Sequence, residues 1–371
     1  SLMDEYSYLA HASDSAFCII VASNKLHDIG KVAEFAGRLC HDLNQVMLVE
    51  DLSLSITVNI GISIYCDDAD NFMELTRKSS AALSYCDHSG DKSYKFFDTK
   101  METVLSHRIQ IESLLVDALS RSELSIHYQP FVDTQTQQVI GAEALLRWNN
   151  AELGCVSPTD FIAIAEQSGQ IIEIGYFVLR SGIQQAAYWR QLYNPDFYIA
   201  INVSPLQLKD EILVDKIVQL LEMYQLPPSA IEIEITENAL IQDAEQALLV
   251  LNKLADIGVR LSLDDFGTGY SSLSYLQNYP FSSVKIDRSF IDNLAESYKN
   301  RELVLTIISM AKNLNLSLVA EGVEDKYQAE FVAQSGADVW QGYYYGKPTD
   351  AGSFSKKHLI SERINLGYPK L

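Results

Sequence analysis

Apolar and polar positions divide the chain into two stretches of different rhythm. Through about residue 100, short apolar runs alternate with amphipathic ones: AFCIIVA (16–22), HDIGKVAEFAGRLCHDL (27–43), LSITVNIGISIY (54–65) and NFMELTRKSSAALSYC (71–86). Such runs predict strands and helices in turn, hence a small α+β unit. Leu105, Ile109, Leu115 and Leu119 then lie at helical spacing, predicting a connecting helix over 101–120. The expected domains are 1–100 and 101–371.

From Ser125 the pattern repeats strictly. Eight β-type runs follow: SIHYQPFV (125–132), VIGAEALLRW (139–148), YIAINVS (198–204), AIEIEITE (230–237), RLSLDDFG (260–267), SVKIDRSF (283–290), SLVAEGVE (317–324) and DVWQGYYYG (338–346). Helical stretches such as 244–258, closed by Gly258, lie between most of them. Eight strands with intervening helices in about 250 residues suit a TIM-like (β/α)8 barrel. A doubly wound open sheet would give the same periodicity.

Within these runs, side-chain parity separates two kinds of residue. Ile231, Ile233 and Ile235 share one face of a strand, and Glu232, Glu234 and Thr236 the other. Ala200, Asn202 and Ser204 oppose Ile199, Ile201 and Val203; Lys285 and Asp287 oppose Val284 and Ile286; Ser262 and Asp264 oppose Leu261 and Leu263. The axis-facing column, ordinarily branched and apolar in a barrel, is polar here. Glu143, Asn202, Glu234, Asp264, Asp265, Lys285, Glu321 and Gln341 all fall late in their runs, at the carboxyl-terminal mouth where barrel active sites assemble. One acid at a strand end ordinarily caps a helix or meets solvent. Eight polar residues at corresponding points of successive strands mark a functional mouth.

Several carboxylates in a partly buried mouth repel one another unless cations intervene. Carboxylate and amide donors, without cysteine or histidine, favour magnesium or manganese. Adjacent Asp264 and Asp265 suit two ions about 3.5–4 Å apart, the spacing for in-line displacement at phosphorus. On a regular strand they point in opposite directions, so a turn from Phe266 and Gly267 is expected to swing Asp265 round. In this company Lys285 is expected to lower a water's pKa or stabilise developing charge.

Charge narrows the ligand. The 371 residues carry 49 acids against 28 bases, a formal charge of −21, which disfavours polynucleotides and anionic membrane but allows a small phosphate ligand held through cations. Cys18, Cys40, Cys66, Cys86 and Cys155 lack zinc or disulfide-framework spacing, so a reducing cytoplasm is expected. No apolar run approaches the roughly 18 residues that span a bilayer. Ser1-Leu2-Met3 reads as a preparation remnant, which leaves room for an upstream sensory or membrane-tethering region.

Eight motifs occur in order: YQP (128–130), EALLRW (143–148), NVS (202–204), EITE (234–237), DDFGTGYSSL (264–273), VKID (284–287), AEGVE (320–324) and QGY (341–343). In these the sequence resembles the EAL-domain phosphodiesterases of cyclic di-GMP, from Met101 to Leu371. The resemblance implies a modified barrel with one early strand reversed, hydrolysing cyclic di-GMP to linear pGpG in bacterial signalling. It implies that Glu143, Asn202, Glu234, Asp264, Asp265 and Glu321 hold two Mg2+ or Mn2+ ions, with Lys285 at the nucleophilic water. Gln129, Arg147, Asp287, Glu324 and Gln341 would surround the substrate, Arg147 at a phosphate oxygen. Glu237 would brace the loop from Phe266 to Ser272 and couple the metals to a homodimer interface. A receptor that binds cyclic di-GMP without turnover is the alternative, and a phosphodiesterase for another small nucleotide would share the metals.

The front unit resembles the later part of a GGDEF diguanylate cyclase domain, through 54–65 and GDKSYKFFD (90–98). Its cyclase signature falls at Ser13–Phe17, where SDSAF lacks both acids and both glycines, so a non-catalytic, regulatory domain is expected. HDIGK (27–31) matches a metal-phosphohydrolase signature, but the other histidines show no paired spacing. It reads instead as part of a helix burying Ile29, Val32, Leu39 and Leu43.

Overall fold

The computed structural model describes residues 7–13, 16–21, 29–44, 47–49, 52–54, 58–86, 94–242, 244–267, 276 and 278–360. By internal packing the chain divides into Ser1–Gln110 and Ile111–Leu371, a boundary that falls within the sequence of the helix Thr99–Leu115.

In the first unit, β1 (Ser7–Ser13) and β2 (Ala16–Val21) form an antiparallel hairpin, with Ser13 opposite Ala16 at its end. Ser13, Ala16 and Phe17 of the SDSAF stretch belong to this hairpin, and residues 14–15 lie outside the described residues. A helix over Ile29–Leu43 is followed by a second hairpin, β3 (Met47–Val49) with β4 (Leu52–Leu54). β5 (Ile60–Ile62) pairs in parallel with β6 (Tyr94–Phe96), with the helix Phe72–Leu83 between them. Asn71 caps that helix, accepting from the Glu74 backbone N–H at 2.9 Å. The Ile29–Leu43 helix forms as expected but buries Ala36, Leu39 and Cys40 instead of its first residue. Ile29, at the start of the helix, is 59% exposed. His27 and Asp28 lie outside the described residues.

The second unit is a closed eight-stranded barrel. Its ring runs β7 (Leu124–Asp133), β8 (Val139–Asn150), β10 (Tyr198–Asn202), β11 (Ile231–Thr236), β12 (Arg260–Phe266), β13 (Ser283–Ile286), β14 (Ser317–Ala320) and β15 (Val339–Trp340), and β15 returns to β7. Short strands β9 (Gly154–Val156) and β16 (Thr349–Asp350) extend it beside β8 and β7. β7 is antiparallel to both its ring neighbours, while β8 and β10 to β15 are mutually parallel. Closure removes the edges of the open-sheet alternative.

Parity along the strands sorts residues into two apolar clusters. Ile199, Ile201, Ile231, Ile233, Ile235, Leu261, Leu263, Val284 and Ile286 join the large cluster between barrel wall and helices. Phe131, Tyr198, Ala200, Val319 and Val339 form a small plug inside the barrel, with the Phe131 and Tyr198 rings stacked 5.7 Å apart. Gly141 makes the plug possible: a Cβ there would meet the Tyr198 ring at 2.7 Å. The connecting helix ends at Leu115; Leu115 is buried and Leu119 packs on the core as their spacing predicts, whereas Ile109 is 58% exposed.

Gly141→Ala is expected to destabilise the barrel by about 1–3 kcal/mol through overpacking against Tyr198. A denaturant titration with unchanged midpoint would refute this. A second expectation concerns His358, which is buried, stacks on Tyr345 with centroids 5.3 Å apart and approaches Phe354 at 5.0 Å. Burial, with Lys357 nearby, pushes its imidazole down from 6.5 to about 4. The unfolded chain therefore takes up the proton first as pH falls, and stability declines from about pH 6.5 to about pH 4. His358→Phe is expected to flatten this part of the stability profile, measured by thermal melts across that range.

Candidate active site

Above the apolar plug, the same inward parity places charged side chains in register around the carboxyl-terminal mouth. Glu143 pairs across from Ala200, Asn202 from Glu234, and Thr236 from Asp264. Lys285 stands at the centre, 1% exposed. Its Nζ lies 2.6 Å from Glu321 Oε1, 2.9 Å from Glu234 Oε1, 3.4 Å from Asp264 Oδ1 and 3.9 Å from Glu143 Oε2. Two amides hold Glu143 from either side: Asn202 Nδ2 donates to Oε1 at 2.7 Å and Gln341 Nε2 to Oε2 at 2.8 Å. Gln341 also donates to Gln129 Oε1 at 3.2 Å, and Gln129 donates to the Gly346 carbonyl at 3.2 Å.

Asp264 and Asp265 are brought to one side, though not by the glycine turn the sequence suggested. Asp265 itself is left-handed, with φ of 55°, and the β12–β13 register slips between Leu263 and Phe266. A one-residue bulge of this kind re-aims a side chain at a strand end, and aspartate tolerates the left-handed region better than most residues. Carboxylate oxygens of Asp264, Asp265 and Glu321 thereby come within 4.8 Å of one another. The loop that follows, 268–275, lies outside the described residues, so the bracing role expected of Glu237 concerns a segment not described. Glu237 is buried at the start of the helix Glu237–Gln242.

One ammonium cannot neutralise this many acids. Burial opposes ionisation of Glu143, but Lys285 and the two amide donors outweigh it and hold its carboxyl below the ordinary range. Burial pushes Glu321 up to about 8 against the pull of Lys285, with Asp264 and Glu143 adding to the rise. Burial and the neighbouring Asp264 and Asp287 push Asp265 up to about 6, and Glu234 is raised well above its usual range, burial again leading. Burial favours neutral Lys285, yet the surrounding carboxylates keep it charged. The uncompensated excess of hard oxygen donors fits divalent cations.

The remaining expected positions are distributed around the rim. Arg147 is half-buried on β8 and donates from Nη1 to the Leu146 carbonyl at 2.8 Å. Asp287 caps the helix Arg288–Ile291, accepting from the Ser289 N–H at 3.0 Å, and Glu324 is exposed in an ion pair with Arg288 at 2.8 Å. Glu232, not singled out for the site, is buried one inward position below Glu234 and accepts from Ser283 Oγ at 3.2 Å. Arg260, beside it in register, lies over the Tyr198 ring at 4.6 Å. The alternation in Glu232–Glu234 and Ser283–Lys285 carried the signal for this lower polar layer.

Fold and mouth define a reversed-strand (β/α)8 barrel with an acidic, lysine-centred site. The chain belongs to the EAL domain family, whose profile matches residues 113–348, and residues 1–93 match the diguanylate cyclase, GGDEF domain. It is 35% identical over 343 residues to the bifunctional diguanylate cyclase/cyclic di-GMP phosphodiesterase MucR of Pseudomonas aeruginosa, covering 92% of this chain and 50% of that protein. It is 30% identical over 356 residues to the cyclic di-GMP phosphodiesterase PdeR of Escherichia coli, covering 96% and 53%. The chain thus spans about half the length of these curated relatives. Among solved structures, a MucR phosphodiesterase in complex with c-di-GMP superposes with a TM-score of 0.64 at 40% identity, over 66% of this chain and 99% of that one. Among the described residues no helix is long and apolar enough to cross a membrane.

Lys285→Met is expected to destabilise the barrel by roughly 3–5 kcal/mol, because it leaves buried carboxylates without their counter-charge. Adding Glu234→Gln should recover part of that loss in a denaturant-based double-mutant cycle. Strictly additive losses would mean that the 2.9 Å pair carries no coupling.

Proposed function

We propose that this protein hydrolyses one phosphodiester of cyclic di-GMP to linear pGpG. The observation that carries the reading is the convergence of Glu143, Glu234, Asp264 and Glu321 on buried Lys285, joined by bulged Asp265. Glu143, Asn202, Glu234, Asp264, Asp265 and Glu321 would hold two divalent cations, Mg2+ or Mn2+. When bound, the ions supply Lewis acidity toward a phosphoryl oxygen and acidify nearby water. Lys285 Nζ, with three donor hydrogens and no freedom to leave the buried cluster, orients the attacking water and stabilises charge developing at phosphorus. Asn202 and Gln341 keep Glu143 in one rotamer by holding both its oxygens. Arg147 suits a non-bridging phosphate oxygen, with Gln129, Asp287 and Glu324 lining the approach. Water oxygen bonds to phosphorus, the 3′ oxygen leaves and takes a proton, and a 5′ phosphate remains on pGpG.

The same reading includes a front unit that regulates without cyclase chemistry, because SDSAF lacks the signature acids, and a homodimer formed through the barrel. Five free cysteines suit a reducing bacterial cytoplasm.

Incubation with cyclic di-GMP and Mg2+ or Mn2+, followed by chromatography, is expected to yield pGpG, and none after chelation. Glu143→Ala and Asp264→Ala should each lower turnover by at least about 100-fold while circular dichroism stays native. Saturating divalent ion should raise the melting temperature of the parent protein and not of Asp264→Ala. Tight binding of cyclic di-GMP without product, in the presence of either ion, would replace the enzyme by a receptor.

A further inference from the structure

Below the mouth, the interior of the barrel is divided between hydrocarbon and polar groups. The apolar plug of Phe131, Tyr198, Ala200, Val319 and Val339 comes from β7, β10, β14 and β15. The three strands between β10 and β14 contribute Glu232, Ser262 and Ser283 at inward positions, all buried. A barrel ordinarily carries branched apolar side chains there, and serine in their place leaves room.

The Glu232 carboxylate shows where that room lies. Ser283 Oγ donates to Glu232 Oε2 at 3.2 Å, although β12 stands between their two strands. The carboxylate therefore crosses the inner face of β12, where Ser262 projects between its register partners Glu234 on β11 and Ser283 on β13. Among the described residues, Ser262 Oγ, Glu232 Oε1 and Glu234 Oε2 have no hydrogen-bond partner, and Ser262 and Glu234 are each 0% exposed. Buried polar atoms without partners are costly, and a water with about three such neighbours removes the cost. A cation suits the place less well. Lys285, one inward position above Ser283, is ion-paired with Glu234 Oε1 at 2.9 Å, and Arg260, one inward position below Ser262, has its guanidinium over the Tyr198 ring at 4.6 Å. Positive charge already flanks the space on both sides, and a ligand that both donates and accepts matches one hydroxyl and two carboxylate oxygens.

We propose that a buried water bridges Ser262 Oγ, Glu232 Oε1 and Glu234 Oε2, and that this bridge positions the Glu234 carboxylate from behind for a divalent cation. Glu232 and Ser262 are thus positioning residues, acting through Glu234. The inference rests on the reading of Glu234 as a metal ligand.

The test combines a crystal structure of the parent protein with calorimetric Mn2+ titrations and metal-free melting curves of parent, Ser262→Val and Ser262→Thr. Density for a water within hydrogen-bond reach of all three atoms is expected. Ser262→Val expels the water, so its metal-free melting temperature should fall and its Kd for Mn2+ should rise roughly 10- to 100-fold, the range for outer-shell partners of metal ligands. Ser262→Thr adds nearly the same bulk but keeps the hydroxyl, and should bind Mn2+ with close to the parental Kd. Equal losses in both variants overturn the proposal, because bulk alone would then account for them. A lower melting temperature in Ser262→Val with parental Mn2+ affinity overturns the positioning role. A higher melting temperature in Ser262→Val overturns the bridge itself, since hydrocarbon would then have replaced an unpaired hydroxyl at a gain. A dry site, or a cation in place of water in the parent, overturns it as well. A parent that takes up no Mn2+ overturns instead the reading of Glu234 as a ligand, on which the positioning role rests.

Discussion

Burial of Lys285 is the constraint on which the barrel mouth depends. A lysine at 1% exposure is tolerable only if polar and anionic groups replace its lost hydration, and four carboxyl groups lie within 3.9 Å. Those carboxylates create the opposite difficulty, because one cation cannot offset them all. The structure meets part of it by amide donation to Glu143 and part by favouring protonation at Glu234 and Glu321. What remains is an appetite for added positive charge. Stability and ligand binding therefore draw on the same side chains, and removing any one partner disturbs both.

The wall around this centre is built to hold it still. Every inward polar residue on β10 to β13 alternates with an outward Ile, Val or Leu locked into the helix-facing core. A shift of one residue in any strand would exchange charge for hydrocarbon on both faces, so register is strongly enforced. A local departure, the Leu263–Phe266 slip with left-handed Asp265, occurs where two adjacent acids reach the same side. A non-glycine residue in that region costs roughly 1–2 kcal/mol, and the flanking ladder of β12 with β11 and β13 holds it in place. Gln129, Gln341 and Gly346 then tie the reversed strand β7 and the chain after β15 to Glu143.

Much of this was legible in the linear chain. Eight β runs, the isoleucine–glutamate alternation and the late position of the polar residues are local properties of spacing, and they point to an α/β sheet with an acidic strand-end mouth, while only ring closure separated a barrel from an open doubly wound sheet. The in-order motif set similarly identified the family of the second unit. Faces of single helices were less legible: Ile29 and Ile109 are apolar and correctly spaced, yet exposed, because which part of a helix is covered depends on where its neighbours stop.

Only the tertiary structure decided the rest. That Asp265 turns by its own backbone could not be read from a Gly-containing stretch, since its left-handed geometry accompanies a register slip against β13, a strand about twenty residues away. That Lys285 meets four acids rather than one depends on strands distant in sequence being adjacent around a closed ring. The three tyrosines at 343–345 are chemically identical in sequence, yet Tyr343 and Tyr344 stay about half exposed while Tyr345 packs against Trp340 and His358. Spacing along the chain determines which face of a strand a residue occupies, but closure of the ring determines what it faces, because that distance is set by non-local packing.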